Sequence, residues 1–213
     1  MAEYTLYCFA QSGHAYKAAL MLELCGADWS PRFVDYFAGE TRSPGYRAIN
    51  VMGEVPVLDH AGKRFTQSGV ILDYLAATLG KYGARSEDER REILRWILFD
   101  NHKLTSFTAT YRFLRSLATD PVDPAILKFL RGRAEGAWGV LNAQLEGRPF
   151  VAADRLTIAD ISMAGYLYFD DEIGVDWAAQ YPNIRDWLAR IKDEPGWAHP
   201  YALMPGHPRP APG

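Results

Sequence analysis

The sequence holds only two cysteines in 213 residues, Cys8 and Cys25, and both lie in apolar segments. Two buried thiols exclude a disulfide framework and fit a reducing compartment. An excess of one charge is also missing. Lys and Arg number 23 against 26 Asp and Glu, a net charge of −3, which excludes the basic footprint of a nucleic-acid binder. No apolar run reaches the roughly 18 residues of a membrane-spanning helix. Met1-Ala2-Glu3 leads straight into Tyr4 to Phe9 with no basic stretch or cleavage signal, so the expected location is cytoplasmic. The phosphate loop G-x-x-x-x-G-K-[ST] and the dinucleotide loop G-x-G-x-x-G are both absent. Neither Ser12 nor Ser68 sits in G-x-S-x-G, which excludes a hydrolase elbow. The five histidines, at 14, 60, 102, 199 and 207, show no ligand spacing with each other or with the cysteines, and no metal site is expected.

What is present is a globular composition, 48% hydrophobic and 23% charged. A chain of this length buries roughly 70% of its unfolded surface, so it folds without disulfides or structural metal. The first eighty residues alternate strand and helix signals. Tyr4 to Phe9 is apolar and β-rich, as a strand buried on both faces should be. His14 to Cys25 has helical composition closed by Gly26, and Trp29 to Phe37 is strand-like again. This βαβ order predicts a parallel pair. Ala38 to Asn50 is mostly loop with one short helix. Val55 to Leu58 and Lys63 to Phe65 flank Asp59-His60-Ala61-Gly62, the pattern of a hairpin. A helix starts at Ser68, carries Ile71, Leu72, Leu75 and Leu79 as its stripe, and ends at Gly80.

After residue 86 no strand signal survives. Ser86 and Glu89 have capping-box spacing, which predicts a long helix running toward Leu117. Leu127, Leu130, Ala134, Trp138, Leu141 and Leu145 recur at the helical period and predict a second one. Thr157 and Asp160 form a capping-box variant, with Leu156 and Ile161 at the positions of a hydrophobic staple, and a helix to about Tyr168 should follow. Ile184, Trp187, Leu188 and Ile191 mark another, stopping before Pro195. The tail from Pro205, with Pro208, Pro210 and Pro212, cannot be helical and is expected to lie extended. The architecture expected is a small α/β domain followed by an all-helical one.

Chemistry concentrates in the first eighty residues. Ser12-Gly13-His14 joins the first strand to the first helix, where a hydroxyl either caps the helix or donates to an anion. Val55-Pro56 opens a strand, where a proline is tolerated and either isomer is possible. Gln67-Ser68 opens a helix, and Ser68 either caps it or helps bind a carboxylate there. Each pair taken alone is a capping or edge feature.

Together they are more specific. Ser12-Gly13-His14-Ala15-Tyr16-Lys17, Gly39-Glu40-Thr41-Arg42-Ser43-Pro44, Gly53-Glu54-Val55-Pro56-Val57-Leu58, Gln67-Ser68 and Leu156-Thr157-Ile158-Ala159-Asp160 resemble the cytosolic glutathione transferases. The match is closest to bacterial members related to the serine-using theta, delta and zeta classes. The resemblance implies a thioredoxin-like α/β glutathione-binding domain over residues 1–80 and an all-α domain over 86–213. It implies a cytoplasmic homodimer that takes glutathione as co-substrate, uses no metal, and detoxifies small electrophiles.

By that similarity Ser12 is the catalytic serine that holds glutathione as a thiolate. Val55, before cis-Pro56, pairs its backbone with the cysteinyl part of the tripeptide, a one-residue strand addition. Gln67 and Ser68 hold the γ-glutamyl end, and Asp100 matches the acid that reaches across the dimer toward the γ-glutamyl amine. Thr41 stands where theta and delta patterns carry a histidine for the glycine carboxylate, Glu54 where many members carry Lys or Gln, and Val51 where a proline follows the asparagine. Arg42 is the substitute cation. Phe107 and Tyr111 are candidates for the second-substrate pocket. His14 is expected to be an exposed or capping histidine, and Cys8 a core thiol with a raised pKa. The alternatives are a glutathione-dependent isomerase of a maleyl-type acid, a glutathione-dependent disulfide reductase, or a non-catalytic binding module on the same fold.

Overall fold

Tyr4–Cys8 form β1, buried at every position except Thr5, as its apolar run dictates. The computed structural model that shows this describes residues 2–208. They divide into two compact units, residues 2–81 with 194–208, and residues 82–193.

In the first unit, α1 (Gly13–Cys25) follows β1 and ends on Gly26, whose φ of 68° lets its N–H reach back to the carbonyls of Leu22 and Glu23. The next strand, β2 (Trp29–Phe33), pairs parallel to β1 from Tyr4↔Trp29 to Cys8↔Phe33. It is shorter than the Trp29 to Phe37 run predicted. Beyond Val34 the chain turns, with the Gly39 and Glu40 N–H groups bonding back to Tyr36 and Asp35. A single 3₁₀ turn, Glu40–Arg42, leads into α2 (Pro44–Ile49), capped by Ser43. Then come β3 (Val57–His60), β4 (Lys63–Thr66) and α3 (Ser68–Leu79). The hairpin is antiparallel, β3 also pairs antiparallel with β1, and the sheet order is β2-β1-β3-β4. Tyr7, Val34, Tyr46 and Val57 form a buried cluster that ties α2 to the sheet. Each such side chain removed from water contributes about 1.5–3 kcal/mol.

The second unit is helical throughout its regular elements among the described residues. Ser86 caps α4 (Glu87–Phe99) by accepting from the Glu89 N–H, but the Glu89 carboxylate accepts from Arg85 and pairs with Arg155 at 2.9 Å. The capping-box spacing therefore yields half a box. The helical path does run to Leu117, through a π turn at Asp100–Leu104, α5 (Thr105–Arg112) and a second π turn at Phe113–Leu117. Thr105 and Ala118 donate to the carbonyls five residues back, Asp100 and Phe113. α6 (Pro124–Gln144) packs along this path, with the buried Trp138 donating to Thr108 Oγ1 at 3.0 Å. α7 (Ile158–Ala164) is shorter than predicted. The chain stays buried to Phe169 but leaves the helix after Ala164, in turns closed by Leu167 N–H to Ala164 and Phe169 N–H to Tyr166. Two single-turn helices, α8 (Asp170–Ile173) and α9 (Trp177–Gln180), precede α10 (Pro182–Lys192).

The segment from 194 onward corrects the predicted domain boundary. It belongs to the first unit, and it carries α11 (Pro200–Leu203). Tyr16 on α1 donates to the Ala198 carbonyl at 2.8 Å, Ala10 N–H to Pro205 at 2.7 Å, and Gln11 Nε2 to Gly206 at 2.8 Å. Buried polar groups on α1 and its preceding loop attract this strap, a signal the sequence does not display locally. Of the predicted extended tail, the part with Pro210 and Pro212 lies outside the described residues. Among the described residues no helix is long and apolar enough to cross a membrane.

Candidate functional site

Ser12 is the N-cap of α1. Its backbone is extended, its Oγ accepts from the Ala15 N–H at 3.1 Å, and it is 5% exposed. A hydroxyl that accepts this bond keeps its own proton to donate elsewhere. The first turn of α1 carries no acid, so nothing on the helix neutralises the positive end of its dipole.

Gln67 and Ser68 start α3 as expected. Gln67 is not a side-chain cap. It adopts φ 66°, ψ 116°, an uncommon conformation for a residue with a Cβ. Backbone outliers of this kind cost about 1–3 kcal/mol and cluster at ligand clamps. Gln67 Nε2 donates to Glu54 Oε2 at 3.1 Å, which gives Glu54 a role in place of the Lys or Gln of related patterns. Ser68 is buried, and its Oγ lies 3.2 Å from His14 Nδ1.

That contact corrects the reading of His14. It is partly buried and hydrogen-bonded, and burial together with the nearby Lys17 pulls its pKa down to about 3. The imidazole is neutral, and it links the second residue of α1 to the first of α3.

The Val55–Pro56 bond is cis, and β3 begins two residues after Val55. The approach is fixed from behind: the Glu54 carbonyl accepts from Asn50 Nδ2 at 2.8 Å and from Tyr46 Oη at 3.0 Å. Gly53 is required here, because at φ 66° a Cβ would lie 2.8 Å from the Thr41 carbonyl. Among the described residues, Val55 makes no backbone hydrogen bond. Arg42 ends the 3₁₀ turn, exposed and lying over Gly39, and no carboxylate pairs with it among the described residues. Burial pushes the Cys8 thiol up to about 12, as expected of a core cysteine.

Ser12, Arg42, Val55, Pro56, Gln67 and Ser68 all lie in the first unit, where the contacts of His14 with Ser68 and of Gln67 with Glu54 link their segments. The candidates in the second unit behave differently. Asp100 is 0% exposed, and its carboxylate accepts from Thr105 Oγ1 at 2.5 Å and Ser162 Oγ at 2.6 Å. This corrects the picture of an acid reaching out of the chain, because both oxygens face hydroxyls of its own unit. Tyr111 is buried in the helical core, with the Arg131 guanidinium 5.7 Å from its ring centroid. Phe107 faces a groove of about 280 Å³ with Phe99, Lys103, Gly136 and Val140.

Comparison with known proteins agrees with this fold. The family description "Glutathione S-transferase, N-terminal domain" matches residues 2–77, and "Glutathione S-transferase, C-terminal domain" matches residues 84–190. Glutathione S-transferase 2 of Schizosaccharomyces pombe is 26% identical over 92% of this chain and 93% of its own. The structure of a possible glutathione S-transferase from Rhodopseudomonas palustris is 30% identical, with a TM-score of 0.83 over 93% of this chain and 98% of that one. A glutathione transferase of Phanerochaete chrysosporium solved with oxidised glutathione is 20% identical, a likeness of fold alone, with a TM-score of 0.86 over 95% of each chain. With both halves of the chain matched in order, and a thioredoxin-like sheet followed by helices, the protein belongs to the glutathione S-transferase family.

Proposed function

We propose that this chain binds glutathione on its sheet-containing unit, holds the thiol as a thiolate, and directs it at a small electrophile. The observation that carries this reading is the hydrogen bond between His14 Nδ1 and Ser68 Oγ, which brings the starts of α1 and α3 together. Each start offers a serine hydroxyl at the positive end of a helix dipole, and neither first turn holds an acid. Two adjoining anion-favouring points suit a peptide with a carboxylate at one end and an ionisable thiol in its middle.

The roles then divide by chemistry. Ser68 and the α3 N-terminus receive the γ-glutamyl carboxylate, with Gln67 beside it. The Val55 N–H and C=O pair with the cysteinyl backbone, as one residue of an added strand. The Arg42 guanidinium receives the glycine carboxylate. Ser12 donates to the sulfur. A free thiol of pKa ~8.5 is only a few per cent ionised at neutral pH, and lowering that value by ~2 units needs ~2.7 kcal/mol. A hydroxyl bond to a charged acceptor supplies ~1.5–3 kcal/mol and the helix terminus ~0.3–1 kcal/mol. Those sizes match without a general base.

The active form is a cytoplasmic homodimer, and Phe107 belongs to a surface for the electrophile or the partner copy. Calorimetry with glutathione, followed by turnover of an aryl halide and of an organic disulfide, tests the reading. Saturable binding with faster aryl-halide turnover is expected. Faster disulfide turnover supports the reductase, binding without turnover supports a non-catalytic module, and no binding overturns the reading. Light scattering showing an active monomer removes the dimer.

A further inference from the structure

The contact between His14 and Ser68 spans 54 residues of chain and is the only side-chain hydrogen bond to Ser68 Oγ found among the described residues. Its direction matters. A neutral imidazole has one N–H, carried either by Nδ1 or by Nε2. With the proton on Nε2, Nδ1 accepts the Ser68 proton, and Ser68 then turns only lone pairs toward an incoming carboxylate. With the proton on Nδ1, the ring donates to Ser68 Oγ and the serine proton points away from it. A carboxylate at the start of α3 is an acceptor alone, so only the second arrangement gives it a hydroxyl donor.

We infer that His14 is a positioning residue that donates from Nδ1 to Ser68 Oγ and so turns the Ser68 hydroxyl into a donor for the carboxylate bound at the α3 N-terminus. This rests on the glutathione reading above and extends it to a residue outside the serine pair. The surroundings keep the ring in its neutral form. Burial and the fully buried Lys17, the first basic side chain along α1, both oppose protonation. A neutral ring matters because its single proton forces the choice. His14 also sits two residues from Ser12, so one side chain sets the hydroxyl at α3 while its helix presents the hydroxyl at α1.

A double-mutant cycle tests this. Glutathione affinity is measured by calorimetry for wild type, His14→Leu, Ser68→Ala and the double variant, with His14→Asn restoring an N–H donor near the Nδ1 position. His14→Leu should weaken binding about tenfold or more, as for one lost bond to a charged group. It should do nothing further in the Ser68→Ala background, and His14→Asn should recover most of the loss. In kinetics the KM for glutathione should rise while kcat changes little. Nitrogen NMR of the glutathione-bound protein should show the His14 proton on Nδ1. Additive losses, no loss in His14→Leu, or an Nε2–H ring overturn the inference while leaving wild-type glutathione binding intact. A wild type that does not bind glutathione overturns the parent reading and this inference with it.

Discussion

At the start of α7, Thr157 and Asp160 close a box in which the acid is fully used, whereas at the start of α1, Ser12 accepts one bond and keeps its proton. Asp160 Oδ2 accepts from the Thr157 N–H and Oγ1 at 2.9 Å each, and Oδ1 from Val151 N–H at 2.8 Å and Trp187 Nε1 at 3.0 Å. Burial pushes this carboxyl up while the four donors pull it down. Everything the α7 terminus offers is spent inside the unit. The starts of α1 and α3 instead hold no acid in the first turn, and Ser12 keeps a hydroxyl proton beyond the bond that it accepts. The same capping chemistry holds a fold when its valences are closed and binds an anion when one is left open.

Substitutions should separate the two uses. Asp160→Ala strands three buried N–H donors and the Thr157 hydroxyl. It should cost about 3–5 kcal/mol in denaturant unfolding, or abolish folding. A loss under 1 kcal/mol would mean the box is ornamental and would break the comparison at its closed end.

Asp100 belongs with Asp160 by the same reasoning, since its carboxylate oxygens accept from Thr105 and Ser162 within the helical unit. Asp100→Ala should cost about 2–3 kcal/mol of stability. Glutathione affinity should change less than twofold, measured by calorimetry below the unfolding temperature. A large loss of affinity with unchanged stability would return Asp100 to the binding site.

Ser68→Ala tests the open end. It should weaken glutathione binding by about 1–3 kcal/mol and leave unfolding nearly unchanged. A smaller effect follows from His14. Its pKa is about 3 in the fold against an ordinary value near 6.5, so the unfolded chain takes up a proton in a window where the folded chain does not. Its contribution is present above pH 6.5 and is lost as pH falls toward 3. About 1 kcal/mol should be gone at pH 5.5, and His14→Leu should flatten that part of the stability profile. An unchanged slope would show that the ring titrates normally.

The parts of this account that were legible in the sequence are those set by neighbours in the chain. Ser12, Gln67-Ser68, Gly26, Gly80 and the Thr157–Asp160 box are written within a few residues, and each sits where local chemistry puts it. The contact of His14 with Ser68 and the burial of Asp100 depend on partners 54 and 62 residues away, chosen by packing. The two π turns in the long helix are likewise invisible to a helical period that continues through them. The strap onto Ala10 and Gln11 has no local motif at all. The exposed edge strand β2 shows the reverse error, since β propensity in Tyr36 and Phe37 outlasts the pairing, which ends where the Val34 N–H donates to the Cys8 carbonyl.

The central claim is that the open valence of Ser12 ionises the thiol, and thiolate absorbance of bound glutathione against pH tests it most directly. Wild type and Ser12→Ala are titrated under saturating glutathione. Ser12→Ala should still bind, lose about 1 kcal/mol of stability with its cap, and show a thiol pKa raised by about 1–2 units, with turnover falling in step. Two coincident titration curves with turnover intact would contradict the account and make Ser12 a cap like Thr157.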